Sequence, residues 1–272
     1  MARAMSSVYR EHPPPAHLRA WVQCLWTLDS GAGALHTHRV LPDGCIDILF
    51  EAGGAGTAGI SVVGMMTRPL LVTHHQGVSF TALRFRPGAA AAFFREPLHR
   101  LTDARVELRE LWRESGPLLG RLQGAPAAAN RLGLLVGELE RRLDEASRRG
   151  HAGCGFAVRA LEAEPDARVR DLCARLGVSR QALARSFREH VGVSPKTLGR
   201  VLRLQRALRL LARGAAGNRA RWADLALDAG YYDQSHLVAE FKELVGLTPG
   251  AYLIETAGGA VPFFQDGDSL PG

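Results

Sequence analysis

The first 110 residues alternate between short apolar runs and clusters of turn-forming residues. This pattern predicts a β-rich domain, because strands are short and are bounded by residues such as glycine, proline and aspartate. Turn-forming clusters at 42–44 and 53–56 separate the predicted strands. The apolar runs place these strands at residues 22–28, 46–50, 60–63, 70–73 and 78–85.

From residue 88 onward the apolar residues recur at helical spacing. Residues 89–94 and 108–112 predict short helices, and residues 130–149 predict a longer amphipathic helix. An apolar seam along the longer helix consists of Leu132, Val136, Leu139 and Leu143. The seam suits a homodimer contact that the preceding domain supports, and packing against the chain's own domain is the alternative.

A motif of the C-terminal half occurs twice, at an offset of 54 residues. Phe187-Arg-Glu-His-Val-Gly-Val-Ser-Pro195 recurs as Phe241-Lys-Glu-Leu-Val-Gly-Leu-Thr-Pro249. Farther upstream the offset is 53 residues, so the second copy has one extra residue in its turn. The repetition indicates a duplicated supersecondary unit.

Each copy predicts a helix, a tight turn and a second helix, at residues 169–190 and 222–245. Ser179 and Asp233 are placed to cap the second helix of each unit, because their oxygens accept hydrogen bonds from free N–H groups. Residues 195–211 predict one long connecting helix. These patterns divide the chain into a β-rich domain (1–110), a helical linker (111–152), a helical C-terminal domain (153–254) and a flexible tail (255–272).

Positive charge is concentrated in the first unit and the connecting helix. The whole chain has a net charge of +7, whereas residues 168–221 hold fourteen basic and two acidic side chains, a net charge of +12. Because like charges at this density repel one another, contact with nucleic acid is favoured. Alternatives are a solvated helix face and an arginine excess that reflects a GC-rich genome.

The outward face of each unit's second helix carries the candidate DNA contacts. Arg185 can bond guanine and Gln181 adenine in the major groove, whereas Arg188 is predicted to contact phosphate. Ser235 and Ala239 discriminate bases poorly at the equivalent positions. For His236, as for His190, a phosphate contact and plain solvent exposure are both open. The candidate DNA-contacting residues are Arg180, Gln181, Ala184, Arg185, Arg188, Gln234, Ser235, His236, Ala239 and Lys242.

Residues 223–252 resemble the signature of the AraC/XylS family of bacterial transcriptional regulators, and the resemblance extends over about 153–254. It implies an α+β chain with two helix-turn-helix modules, joined by a long helix, that enter successive major grooves. Residues 41–50 and 83–94 look like segments of the family's sensor halves, which implies a cupin-like barrel followed by helices. Double-stranded promoter DNA and RNA polymerase are the implied partners, and an unknown small-molecule effector is a further candidate.

Several other patterns bear on location and chemistry. No run approaches the ~20 apolar residues of a membrane span, and the first 19 residues lack the apolar core of a signal peptide. We therefore expect a cytoplasmic protein that associates with the nucleoid when it is bound to DNA. The four cysteines form no C-x-x-C pair, and we expect reduced, structural thiols.

Two motifs suggest a cofactor or a metal ion, and each has a simpler explanation. His36 and His38 share a face if they lie on a strand, and His74-His75 is a second candidate pair, but no correctly spaced glutamate follows His38. Residues 54–59 match G-x-G-x-x-G, yet the residues that follow are strand-like, which favours a hairpin loop. We therefore predict no cofactor, no metal ligand and no catalytic residue.

These observations predict a sequence-specific, DNA-binding transcriptional regulator that is not an enzyme. Its N-terminal domain is expected to bind a small molecule or a partner. The alternatives are a cupin-like metal-dependent enzyme fused to a DNA-binding module, and an N-terminal domain that only dimerises.

Overall fold

The computed structural model describes residues 8–30, 36–53, 58–74, 77–149, 154–213 and 220–257. The N-terminal half contains two antiparallel sheets, one of six strands in the order β1-β2-β7-β4-β5-β8 and one of two, β3-β6. The strands are β1 (Val8–His12), β2 (Val22–Asp29), β3 (His36–Val40), β4 (Ile46–Gly53), β5 (Gly59–Val63), β6 (Leu70–His74), β7 (Val78–Phe85) and β8 (Arg105–Glu107). Each of the five strands predicted from the apolar runs is present.

The six-stranded sheet is buried on both faces. One face carries Phe50 and Leu83 and packs against the helices that follow, α1 (Leu108–Leu111), α2 (Gly116–Gly124) and α3 (Ala128–Glu140). The opposite face carries Trp26 and Phe80 and faces the two-stranded sheet across a cavity. The two sheets together form an open, barrel-like enclosure, and among the described strands hydrogen bonds do not close it into a complete barrel.

The prediction of a single helix over residues 130–149 is wrong. Helix α3 ends at Glu140, and a separate helix, α4 (Leu143–Arg149), begins after a two-residue turn. At the break Arg141 and Arg142 both pair with the buried carboxylate of Glu138. Two residues of the apolar seam, Leu132 and Leu139, are buried in the chain's own core. This is the arrangement expected if the seam packs against its own domain and not against a second copy. The helix predicted at 89–94 is a short 3-10 helix over Ala89–Ala92.

The C-terminal half is helical and contains both predicted units. Its helices are α5 (Cys154–Ala163), α6 (Val169–Leu176), α7 (Arg180–His190), α8 (Pro195–Ala212), α9 (Ala220–Asp228), α10 (Gln234–Val245) and α11 (Pro249–Ala257). Helices α6 and α7 form the first helix-turn-helix unit, α9 and α10 form the second, and α8 connects them. The predicted fold class, α+β with two helix-turn-helix modules joined by a long helix, is confirmed.

The turns of the two units share a glycine with a positive φ, although the second turn is one residue longer. Gly177 (φ +65°) follows α6, and Gly230 (φ +88°) occupies the equivalent position after α9. Glycine suits both positions because a positive φ brings a Cβ too close to the backbone in other residues. The Oγ of Ser179 accepts a hydrogen bond from the N–H of Ala182 at 3.1 Å, as predicted for an N-cap.

The predicted tail and domain boundary lie partly outside the described residues. Helix α11 extends to Ala257, three residues into the predicted tail, and residues 258–272 are outside the described ranges. The predicted boundary between the helical linker and the C-terminal domain, at residues 152 and 153, is also outside them.

Candidate nucleic-acid interface

The outer face of α7 is basic and open to solvent. Arg180, Gln181, Arg185 and Arg188 are exposed and Ala184 is half-buried, whereas Leu183 and Phe187 anchor the opposite face in the core. Neither Arg185 nor Arg188 is engaged by a hydrogen bond or ion pair with another described residue. The guanidinium groups on this face are therefore available to an external acceptor.

The equivalent face of α10 is smaller and less charged. Gln234, Ser235, Ala239 and Lys242 are exposed, and Leu237 and Phe241 are buried behind them. Asp233 begins the helix as predicted, since its Oδ1 accepts a hydrogen bond from the N–H of His236 at 2.7 Å. Lys242 is the cationic side chain on this face.

The two histidines beside these faces have partners within the chain. The Nδ1 of His236 accepts from the backbone N–H of Tyr232 at 3.3 Å, and its ring lies edge-on to the buried ring of Tyr231. In α7 the Nδ1 of His190 is 2.9 Å from the carbonyl oxygen of Ser186. These intramolecular contacts account for the placement of both rings.

Part of the positive charge on α8 is neutralised inside the domain. The Oε1 of Glu240, a buried residue of α10, accepts hydrogen bonds from the Nε of Arg200 at 2.9 Å and the Nη2 of Arg203 at 2.8 Å. Arg200 also pairs with Glu243. Burial by itself lowers the pKa of Arg200, but the effect of the two carboxylates is larger, so the pKa is raised overall. For these two arginines nucleic acid is therefore not needed to relieve the repulsion.

A cavity of about 510 Å³ lies between the two sheets of the N-terminal half. Its walls include the apolar side chains of Trp26, Phe80 and Val72. On its lining, Arg84 donates two hydrogen bonds to the carboxylate of Asp47, at 3.0 and 2.9 Å. The indole N–H of Trp26 donates to the same carboxylate at 3.0 Å. The carboxylate of this buried ion pair therefore receives its hydrogen bonds from the protein itself. Most of the remaining wall of the cavity is apolar.

Strand β3 separates this cavity from the second helix-turn-helix unit. His38 and Val40 line the cavity, and Arg39, between them, points to the opposite side. The Nη1 of Arg39 donates to the carbonyl oxygen of Val245 at 3.1 Å, at the end of α10, and its Nε donates to Glu255 at 3.1 Å. The two-stranded sheet thus contacts the cavity on one face and the C-terminal domain on the other.

Two family models match separate parts of the chain. One, described as a helix-turn-helix domain and of the AraC type, matches residues 172–254, which include both units. The chain carries an AraC-type helix-turn-helix domain. The resemblance to AraC/XylS regulators predicted from the sequence is therefore confirmed. The other model, DUF6597, is described as a domain of unknown function and matches residues 10–107, the region of the eight strands.

Solved structures of ToxT from Vibrio cholerae are similar to this chain at low identity. One ToxT structure has 10% identity and a TM-score of 0.46, with 92% of this chain and 98% of that chain covered. Wild-type ToxT of strain SCE256 bound to an unsaturated fatty acid has 13% identity and a TM-score of 0.43, with 96% and 100% covered. These values are too low for a conclusion about this chain. No curated protein sequence matches it.

The candidate metal and dinucleotide motifs of the N-terminal half fall mostly outside the described residues. His38 lines the cavity, whereas the side chains of His36 and His74, and the whole of His75, are outside the described part. Within that part no group of three or more His, Cys, Asp or Glu side chains is placed to hold a metal ion. Residues 54–57 are not described, but β5 begins at Gly59 and pairs with β4, so a strand follows the glycine motif.

The four cysteines are buried and free. Burial raises the pKa of the Cys24 thiol to about 12, which keeps it protonated and unreactive at neutral pH. Among the described helices none is long and apolar enough to cross a membrane.

Proposed function

We propose that this protein is a sequence-specific regulator of transcription that binds double-stranded promoter DNA. The observation that carries the proposal is the exposed face of α7, where Gln181, Arg185 and Arg188 stand clear of the domain core. Arginine and glutamine form paired hydrogen bonds with guanine and adenine in the major groove. The AraC-type domain supports a role in DNA binding independently of this chemistry.

Within this proposal the two units have different tasks. Arg185 and Gln181 read bases, with Arg180 and Ala184 beside them, while Arg188 contacts phosphate. The face of α10 offers mainly a hydroxyl and a methyl group to base edges, because Ser235 and Ala239 occupy its centre. The second unit therefore anchors and orients the protein on DNA, with Gln234, His236 and Lys242 at the edge of its contact.

Selection of binding sites from a random pool of DNA duplexes tests this division of tasks. We expect one half-site with strong base preferences under the first unit and a weakly constrained half-site under the second, because few side chains of α10 distinguish base edges. Footprinting assigns each half-site to its unit. Two equally informative half-sites, or a dominant half-site under α10, would contradict the assignment.

We further propose that the cavity between the two sheets binds a small, largely apolar molecule. Ligand sites are concave, mostly apolar and of a few hundred to about a thousand Å³, and this cavity has these properties. Because β3 contacts both the cavity and the end of α10, an occupant that displaces β3 also acts on the second unit. RNA polymerase is the protein partner that we propose for the DNA-bound regulator, which would act in the bacterial cytoplasm.

Strand β6 offers a matched pair of variants that tests the cavity. Val72 faces the cavity, and its neighbour Leu71 is exposed on the opposite face of the same strand. We expect Val72→Trp to weaken saturable binding of a naphthalene-based fluorescent probe, because the indole occupies part of the cavity, and Leu71→Trp to retain it. We also expect the probe to change the DNA affinity of Leu71→Trp more than that of Val72→Trp. Equal probe binding by both variants would show that the cavity is not the site.

A further inference from the structure

Tyr232 is exposed without a packing role in its own domain. It lies immediately before Asp233, the N-cap of α10, and 86% of its surface is accessible to solvent. The preceding Tyr231 is buried, and its ring contacts His236. The hydroxyl group of Tyr232 makes no hydrogen bond to another described residue. The second tyrosine of the pair is therefore not needed for the core.

Helix capping does not account for Tyr232 either. An apolar residue in front of an N-cap usually packs against the fourth residue of the helix, which here is Leu237. Because Tyr232 is almost fully exposed, it does not make this contact. The equivalent residue of the first unit, Val178, is also exposed, at 39%. Both units thus have an exposed side chain immediately before their second helix, and only Tyr232 carries a hydrogen-bond donor.

The location of Tyr232 points to the DNA phosphates. In helix-turn-helix domains the N-terminal end of the second helix is the end that approaches the major groove. Unpaired N–H groups and the helix dipole make that end attractive to phosphate. The opposite end of α10 faces the N-terminal half, where Arg39 bonds the carbonyl oxygen of Val245. Tyr232 therefore occupies the end of α10 that remains open.

We propose that the hydroxyl group of Tyr232 donates a hydrogen bond to a DNA phosphate beside the groove that α10 enters. The proposal rests on the proposed DNA-binding function. Tyrosine is neutral, so this contact adds affinity for any sequence without releasing a counterion. The second unit would then contact phosphate through two side chains, Tyr232 and Lys242. Only the contact of the charged Lys242 releases a counterion.

The test uses the full chain and two variants of Tyr232. Dissociation constants are measured for a selected duplex and a random duplex between about 50 and 200 mM salt. We expect Tyr232→Phe, which removes only the hydroxyl, and Tyr232→Ala to weaken binding to both duplexes by about tenfold. The salt dependence should keep its slope. Ile254→Ala is the control, because Ile254 is 78% exposed on α11 at the other end of the second unit, and we expect no change.

Three results would overturn the proposal. Wild-type affinity in Tyr232→Phe would show that the hydroxyl is not used, even if Tyr232→Ala binds weakly. A loss confined to the selected duplex would indicate a base contact instead. A flatter salt dependence would indicate an indirect effect on a cationic side chain. If the wild-type chain itself bound neither duplex, the proposed function would fail, whereas unaltered Tyr232 variants on DNA that the wild type binds would remove this inference alone.

Discussion

Replacement of Glu240 by alanine is expected to destabilise the second helix-turn-helix unit by about 3–5 kcal/mol, the usual effect of breaking a buried ion pair. The carboxylate of Glu240 holds the guanidinium groups of Arg200 and Arg203, and both arginines are largely withdrawn from solvent. Without it, the guanidinium group of Arg203 loses this carboxylate beside the buried ring of Tyr231, while Arg200 keeps its pair with Glu243. The loss should appear as faster hydrogen exchange of α10 amides and as a lower midpoint of urea unfolding.

Glu243→Ala is the matched control for this prediction. Glu243 pairs with the same Arg200, but its side chain is 65% exposed, and exposed ion pairs contribute about 1 kcal/mol or less. Glu240→Gln separates charge from shape, because the amide keeps the volume and loses the charge. Similar unfolding midpoints for Glu240→Ala and Glu243→Ala would show that the buried pair does not hold α10 against α8.

Arg185→Ala is expected to weaken binding to the selected duplex by about 1–3 kcal/mol, which is the contribution of a bidentate contact to guanine. The same change should relax selection at one or two base pairs and leave affinity for random DNA less affected. Competition binding with a panel of single-base variants of the selected site measures both effects. Arg95→Ala serves as the control, because Arg95 is an exposed arginine of the N-terminal half that pairs with Glu145.

Two other cationic side chains, Arg188 and Lys242, are expected to contribute to affinity but not to sequence specificity. Arg188→Ala and Lys242→Ala should weaken binding to all sequences and reduce the salt dependence by about one counterion each, as phosphate contacts do. If Arg185→Ala lost affinity equally on the selected and random duplexes, Arg185 would belong with these phosphate contacts. An unchanged salt slope for the other two variants would contradict their own assignment.

The elements that the sequence predicted well are those whose signals are local. Strand β7 is apolar along most of its length because the sheet is buried on both faces, so alternation is not required to recognise it. Ser179 and Asp233 mark the starts of α7 and α10 because a cap acts within three residues. Strand β1 escaped prediction because it lies at the edge of the sheet and is only partly buried. Strand β8 has only three residues.

The features that could not be predicted depend on contacts between distant residues. Nothing near Arg200 in the sequence shows that Glu240, forty residues later, neutralises it. The break after α3 also has no signal in the sequence, because the helical repeat of apolar residues continues through Arg141 and Arg142. The cavity is formed by strands from across the N-terminal half, so its lining is defined only once the sheets are assembled.

The two contacts of β3 limit how this strand can change in length. His38 and Val40 line the cavity, while Arg39 holds the second unit through Val245 and Glu255. Successive residues of a strand point to opposite faces, so inserting or deleting one residue exchanges the two sets. A single insertion before Arg39 would turn its guanidinium into an apolar cavity and turn Val40 toward the C-terminal domain. Insertions and deletions in β3 are therefore compatible with both contacts only in multiples of two.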